Sequence, residues 1–164
     1  MTWKRNVLVV ANVTATSEDL VRALTERAER EPTSFTLIIP ATPAGGGRAA
    51  ATEQLTEALG VLSGAGLEIQ GEVGHADPIV AVTDVWDPRG YDEIIVSTLP
   101  MRLSKWMHAG LPERISRMTG APVSHIVSQP PRTPAQTAPP PAHETQLGVM
   151  KPLSVLAWGG HKDQ

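Results

Sequence analysis

The sequence contains no cysteine in its 164 residues. Disulfides, thiolate nucleophiles and cysteine-held metals are therefore excluded. Charge of one sign is also missing: 14 Lys and Arg stand against 17 Asp and Glu, a net charge of −3. Nucleic-acid binders usually carry a basic face that neutralises phosphates, so no nucleic-acid partner is expected. No stretch approaches the ~18 apolar residues of a membrane span, and no membrane partner is expected. The opening Met1-Thr-Trp-Lys-Arg-Asn6 is basic, but the apolar run behind it, Val7 to Ala11, is too short for a signal peptide. The expected location is the cytoplasm. The five histidines are scattered without metal-ligand spacing. A Gly-x-Ser-x-Gly elbow is lacking. The glycine triplet Gly45-Gly-Gly47 leads into Arg48, not into the Lys-Ser or Lys-Thr of a P-loop, and reads as a connector. These patterns assign no metal ligand and no catalytic residue.

What is present is an ordinary globular composition, 41% apolar and 19% charged, with alternating strand and helix signals. Val7-Leu-Val-Val-Ala11 is a β-branched run of the kind buried on both faces of a parallel sheet. Thr16 or Ser17 caps a helix whose apolar stripe is Leu20, Val21, Leu24 and Ala28, and Pro32 ends it. Phe35 to Ile39 is a second strand, stopped by Pro40. A helix over about Ala49 to Ser63 follows, closed by Gly64 and Gly66. Leu67 to Val73 alternates apolar and polar residues, which marks an edge strand. Asp77 caps a third helix with Pro78 at its first position, and this capping role leaves His75 as an exposed neighbour rather than a base. Glu93 to Val96 is the fourth strand. A loop from Ser97 to Leu111, with one helical turn after Ser104, leads to a helix over Pro112 to Met118. Gly120 caps that helix, and Val123 to Val127 is the fifth strand.

This order predicts a three-layer α/β/α, Rossmann-like domain built on a five-stranded, parallel, doubly wound sheet of strand order 3-2-1-4-5. The expected domain covers 1–128. A proline-rich linker over 129–146 and an apolar tail segment over 147–164 follow. Ligands of such sheets bind at the carboxyl ends of the strands, where the strand order reverses. Here that point lies between strands one and four. The candidate ligand-binding residues are therefore Asn12 after the first strand, and Ser97, Thr98, Arg102 and Lys105 after the fourth; a sixth, Gly110, is implied by a family resemblance of these loops. Arg102 and Lys105, with Ser104, His108 and Trp106 nearby, suit a small anionic ligand.

At these loops the chain resembles the universal stress protein family. The resemblance rests on Val7-Leu-Val-Val-Ala-Asn-Val-Thr14, on the turn Gly74-His-Ala-Asp-Pro78, on Asp92-Glu-Ile-Ile-Val-Ser97 and on Gly120-Ala-Pro-Val123, and it spans about residues 5 to 127. It implies the same fold and a homodimer paired through the fifth strand. Nucleotide-binding members carry an aspartate after the first strand and a loop G-x2-G-x9-G-[S/T] after the fourth. In this chain the aspartate position falls on Asn12, the glycines on Ser97, Pro100 and Gly110, and the hydroxyl on Leu111. Proline has no N–H for a phosphate. No cofactor is expected, and ATP or another nucleotide is disfavoured. The expected function is a binding or regulatory module with a degenerate nucleotide site. The alternatives are a hydrolase or transferase acting on a nucleotide or other anionic metabolite, and an interaction module acting through its tail. Seven prolines fall between Ser128 and Pro152, and seven large apolar residues between Leu147 and Trp158. That second stretch is expected to dock on a hydrophobic groove, with Trp158 as anchor.

Overall fold

The computed structural model describes residues 3–129, so the linker and tail expectations lie outside the described residues. Five parallel strands form one sheet: β1 (Arg5–Val10), β2 (Thr33–Pro40), β3 (Glu68–Gly74), β4 (Glu93–Thr98) and β5 (Val123–Val127). Their order is β3-β2-β1-β4-β5, as expected. Helices α1 (Glu18–Arg30), α2 (Gly47–Gly64), α3 (Pro78–Val85), α4 (Lys105–His108) and α5 (Leu111–Thr119) fill the connections.

The period-2 alternation of strand side chains divides the interior in two. Val7 and Val9 of β1 join Leu20, Leu24 and Leu62 under α1 and α2. Leu8 and Val10 join Ile79, Val82 and Ile115 under α3 and α5. All six residues of β4 are buried, which is why β1 and β4 read as unbroken apolar runs. On β3 only Ile69 and Val73 pack on the core, while Glu68, Gln70 and Glu72 are exposed, consistent with an edge.

Local signals explain the helix ends. The Ser17 hydroxyl accepts from Leu20 N at 3.1 Å, and Glu18 and Asp19 lie in the first turn of α1. Asp77 Oδ1 accepts from Ile79 N at 2.8 Å with Pro78 behind it, while His75 Nδ1 accepts from Asp77 N. At Gly74 a Cβ would lie 2.7 Å from the Ala81 Cβ and 2.8 Å from Ile38, so α3 seats directly on the backbone there.

Several boundaries differ from expectation, most by one or two residues. β2 begins at Thr33 and includes Pro40, because a terminal residue can lack an N–H while Ala41 N continues the ladder to the Gly74 carbonyl. α2 starts two residues early, at Gly47. Short 3₁₀ turns occupy Pro43–Gly45 and Met101–Leu103, where no apolar period existed to reveal them.

A buried charge cluster sits at the amino end of β4, opposite the carboxyl ends of the strands. Glu93 is 3% exposed and accepts hydrogen bonds from Arg27 and from Ser124 Oγ. Burial opposes its ionisation, but the bonds from Arg27 and Ser124 and the fields of Arg27 and Arg5 outweigh it, so its carboxyl is held below the ordinary 4.5. Arg5 directs Nη1 to Glu31 and Nη2 toward Glu93. Its Nε is the one buried side-chain nitrogen without a partner among the described residues.

Candidate functional site

β1 and β4 are neighbours whose following connections run to opposite faces of the sheet. The two chain segments part above the strand ends and leave a crevice. A cavity of about 290 Å³ opens there. Its first wall is the β1–α1 turn, Asn12 to Thr14. Its second is the turn after β2, with Thr42, Ala44 and Gly45. Its third is the end of β4, Ser97 to Leu99, continued by Leu103 to Trp106.

The floor carries the hydroxyls of Thr14 and Ser97, which continue behind it as a chain. Thr14 Oγ1 and Ser97 Oγ lie 2.8 Å apart, Ser97 Oγ and Ser128 Oγ 3.3 Å apart, and Ser17 donates to Ser128 at 2.8 Å. Thr14, Ser97 and Ser128 are all at most 2% exposed. Buried hydroxyls must be paired, and these satisfy one another. The side wall is held in the same way: Asn12 Nδ2 donates to Thr42 Oγ1 at 3.4 Å, and Gln54 Nε2 donates to the Asn12 carbonyl. Thr98 Oγ1 lies 2.7 Å from His125 Nε2 on β5. Ser104 caps α4 by accepting from Met107 N, which fixes Lys105 and Trp106 at the rim. Trp106 is half-buried and does two things at once: it packs on the core under α3 and α5 and lines the cavity.

Of the six candidate residues, Asn12, Ser97, Thr98 and Lys105 meet at this cavity. Arg102 is exposed and Gly110 is the left-handed N-cap of α5, with φ 64°. Neither lines the cavity. Sequence reasoning put the loop around Asn12 to Thr16 at the site without singling out Thr14, and it missed the turn after β2, which it read as a mere connector. The available signal was positional: β2 neighbours β1, so the loop after it ends beside the crevice. Lys105 is the one charged residue among the described lining residues, and no carboxylate joins it. No group of three His, Asp or Glu among the described residues could hold a metal ion. No described helix is long and apolar enough to cross a membrane.

No protein-family profile matches the sequence, and no curated protein matches it. Solved structures do match. A universal stress protein from Mycobacterium in complex with cAMP superposes with a TM-score of 0.54 at 17% identity, covering 77% of this chain and 98% of that one. The universal stress protein from Archaeoglobus fulgidus in complex with dAMP gives the same TM-score and identity, covering 77% of this chain and 99% of that one. Element order, the 3-2-1-4-5 sheet and the superposition together make residues 3–129 a domain of the universal-stress-protein fold.

Proposed function

We propose that this domain is a ligand-binding, regulatory module that takes a small anionic molecule of nucleoside-monophosphate size in the crevice between β1 and β4, and that does not bind ATP through a glycine-rich phosphate loop. The carrying observation is the cavity itself. Its 290 Å³ sits at the bottom of the roughly 300–1,000 Å³ span of ligand pockets. Lys105 supplies one cation for the anion, and Trp106 a flat apolar face. Asn12 offers an amide at the same wall. The solved proteins of this fold named above were captured with cAMP and dAMP, both mononucleotides. A triphosphate lacks its usual support here. Pro100 has no N–H, and the Ser97 hydroxyl is already paired with Thr14 and Ser128.

Calorimetry on the full chain tests this reading. AMP is expected to bind with a Kd between about 1 μM and 1 mM, or roughly −8 to −4 kcal/mol. ATP with magnesium is expected to bind more weakly than AMP. Lys105→Ala should weaken AMP by about 1.5 kcal/mol, the value of one charge-assisted hydrogen bond. ATP binding at micromolar Kd or tighter, or no AMP binding at millimolar concentration, refutes the proposal.

A hydrolase or transferase reading has one observation on its side, the Thr98–His125 hydrogen bond, which sets the hydroxyl of a cavity-lining residue beside an imidazole that does not itself line the cavity. No carboxylate hydrogen-bonds that imidazole among the described residues, so the pair lacks an orienting acid, and the binding reading stands ahead.

The module is further proposed to act as a homodimer through β5. Among the described residues that strand ends the sheet with its outer edge unpaired, and Val127 on it is exposed. Light scattering at tens of micromolar should give twice the chain mass. A monomer at that concentration removes the dimer from the proposal.

A further inference from the structure

Seven large apolar side chains are exposed among the described residues, and two of them, Val13 and Leu103, line one cavity. Val13 lines it from the β1–α1 turn and is 51% exposed. Leu103 lines it from the opposite side and is 52% exposed. Met101, 58% exposed, opens the 3₁₀ turn that Leu103 closes. The other four, Trp3, Val61, Met118 and Val127, belong to separate parts of the chain. Scattered exposed apolar residues need no explanation, but a patch rimming a cavity marks a surface that something covers.

Behind this rim the lining stays apolar at Ala44, Leu99 and Trp106, and Lys105 is its one charge. A purely charged ligand would leave Val13 and Leu103 in water. A purely apolar ligand would cover Lys105 without giving its ammonium a partner, which is unfavourable. A molecule with both parts satisfies both surfaces.

We propose that the ligand of this cavity is an amphipathic anion, an organic phosphate or carboxylate whose head pairs with Lys105 and whose apolar chain lies against Trp106 and the Val13–Leu103 rim. This inference rests on the reading of the crevice as an anion site and narrows the ligand class. The hydroxyl floor orients the polar end, and the rim selects for chain length.

The probes are inorganic phosphate, butyl phosphate and octyl phosphate, with octanoate and AMP alongside, each titrated into the full chain by calorimetry below any micelle concentration. Affinity should rise at least tenfold from butyl to octyl phosphate, since each fully buried methylene contributes up to about fourfold. Octanoate equal to octyl phosphate would mean that the site accepts carboxylate heads, and weaker octanoate would mean that it requires phosphate; both agree with the proposal. Val13→Ser with Leu103→Ser should cut octyl phosphate affinity at least tenfold, and Leu103→Met alone should keep it within about threefold. Far-UV circular dichroism checks that each variant folds. A flat alkyl series with AMP still binding overturns the amphipathic ligand and leaves the anion site standing. Loss of every ligand, AMP included, overturns both. Unchanged octyl phosphate binding in the double-serine variant overturns the placement of the chain on this rim.

Discussion

Replacing Arg27 with alanine is expected to destabilise the domain by about 3 kcal/mol at pH 7, because it leaves the Glu93 carboxylate buried without its main partner. Glu93 keeps Ser124 Oγ at 2.7 Å and Arg5 Nη2 at 3.5 Å, which places the cost at the lower end of the roughly 3–5 kcal/mol for breaking a buried pair. Arg27 also loses its bond to Ser124 at 3.0 Å. The effect has a pH signature. The folded value of Glu93 lies below its ordinary 4.5, so its stabilisation is fully present above 4.5 and is lost as pH falls through the folded value. Arg27→Ala removes the hydrogen bond and the positive charge that do most to lower it, and so moves the folded value up. The gap in stability between parent and variant should therefore be largest near neutrality and shrink as pH falls through the carboxylate range. Urea unfolding of both proteins at pH 7 and pH 3 measures it. A gap below 1 kcal/mol at pH 7, or one that is equal at the two pH values, would refute the ion-pair account.

Ser97→Ala is expected to cost about 2 kcal/mol and to loosen the floor of the cavity. A buried hydroxyl deprived of its partner costs roughly 1–3 kcal/mol. Ser128 retains Ser17, so the larger share falls on Thr14, whose described side-chain hydrogen bond is the one to Ser97. The double variant Ser97→Ala with Thr14→Val should recover part of the loss, since replacing both polar partners by apolar groups of similar shape is nearly neutral. Chemical denaturation of the two single variants and the double variant forms the cycle. Strict additivity, or a Ser97→Ala cost below about 0.5 kcal/mol, would mean that the hydroxyls do not act as a network.

Ser97 also illustrates what could be read from the chain. Its place after a buried β-branched run, in a β-α-β-α-β-α-β-α-β order, located it at the switch point before any coordinates. So did the place of Asn12 after Val7–Ala11. Lys105 is a candidate in the sequence because a cation beside a tryptophan in the loop after strand four suits an anionic ligand. Arg102 has the same charge and lies three residues away, yet it misses the cavity. The 3₁₀ turn over Met101–Leu103 points Leu103 inward and leaves Arg102 outside, and no periodic pattern encodes so short a turn. Gly110 was carried by resemblance. In the structure its left-handed φ serves α5 as an N-cap, a local backbone role.

By itself, the sequence determined the layered α/β fold, the parallel sheet and its edge strand β3. Each of these depends on residue periodicity and on caps within a few positions. Ser17 before Glu18 and Asp19 starts a helix whatever surrounds it, and Val7 to Ala11 can only be satisfied inside a sheet covered on both faces. Only the tertiary structure decided the hydroxyl chain Thr14–Ser97–Ser128–Ser17, the Glu93–Arg27 pair 66 positions apart, and the second wall of the cavity at Thr42 to Gly45. These groups meet because parallel crossovers bring distant strand ends side by side. A serine, an arginine or a short turn looks the same in sequence whether it faces water or a partner a hundred residues away. What distinguishes them is the register of β1 against β4 and of β4 against β5, which arises only when the whole sheet assembles.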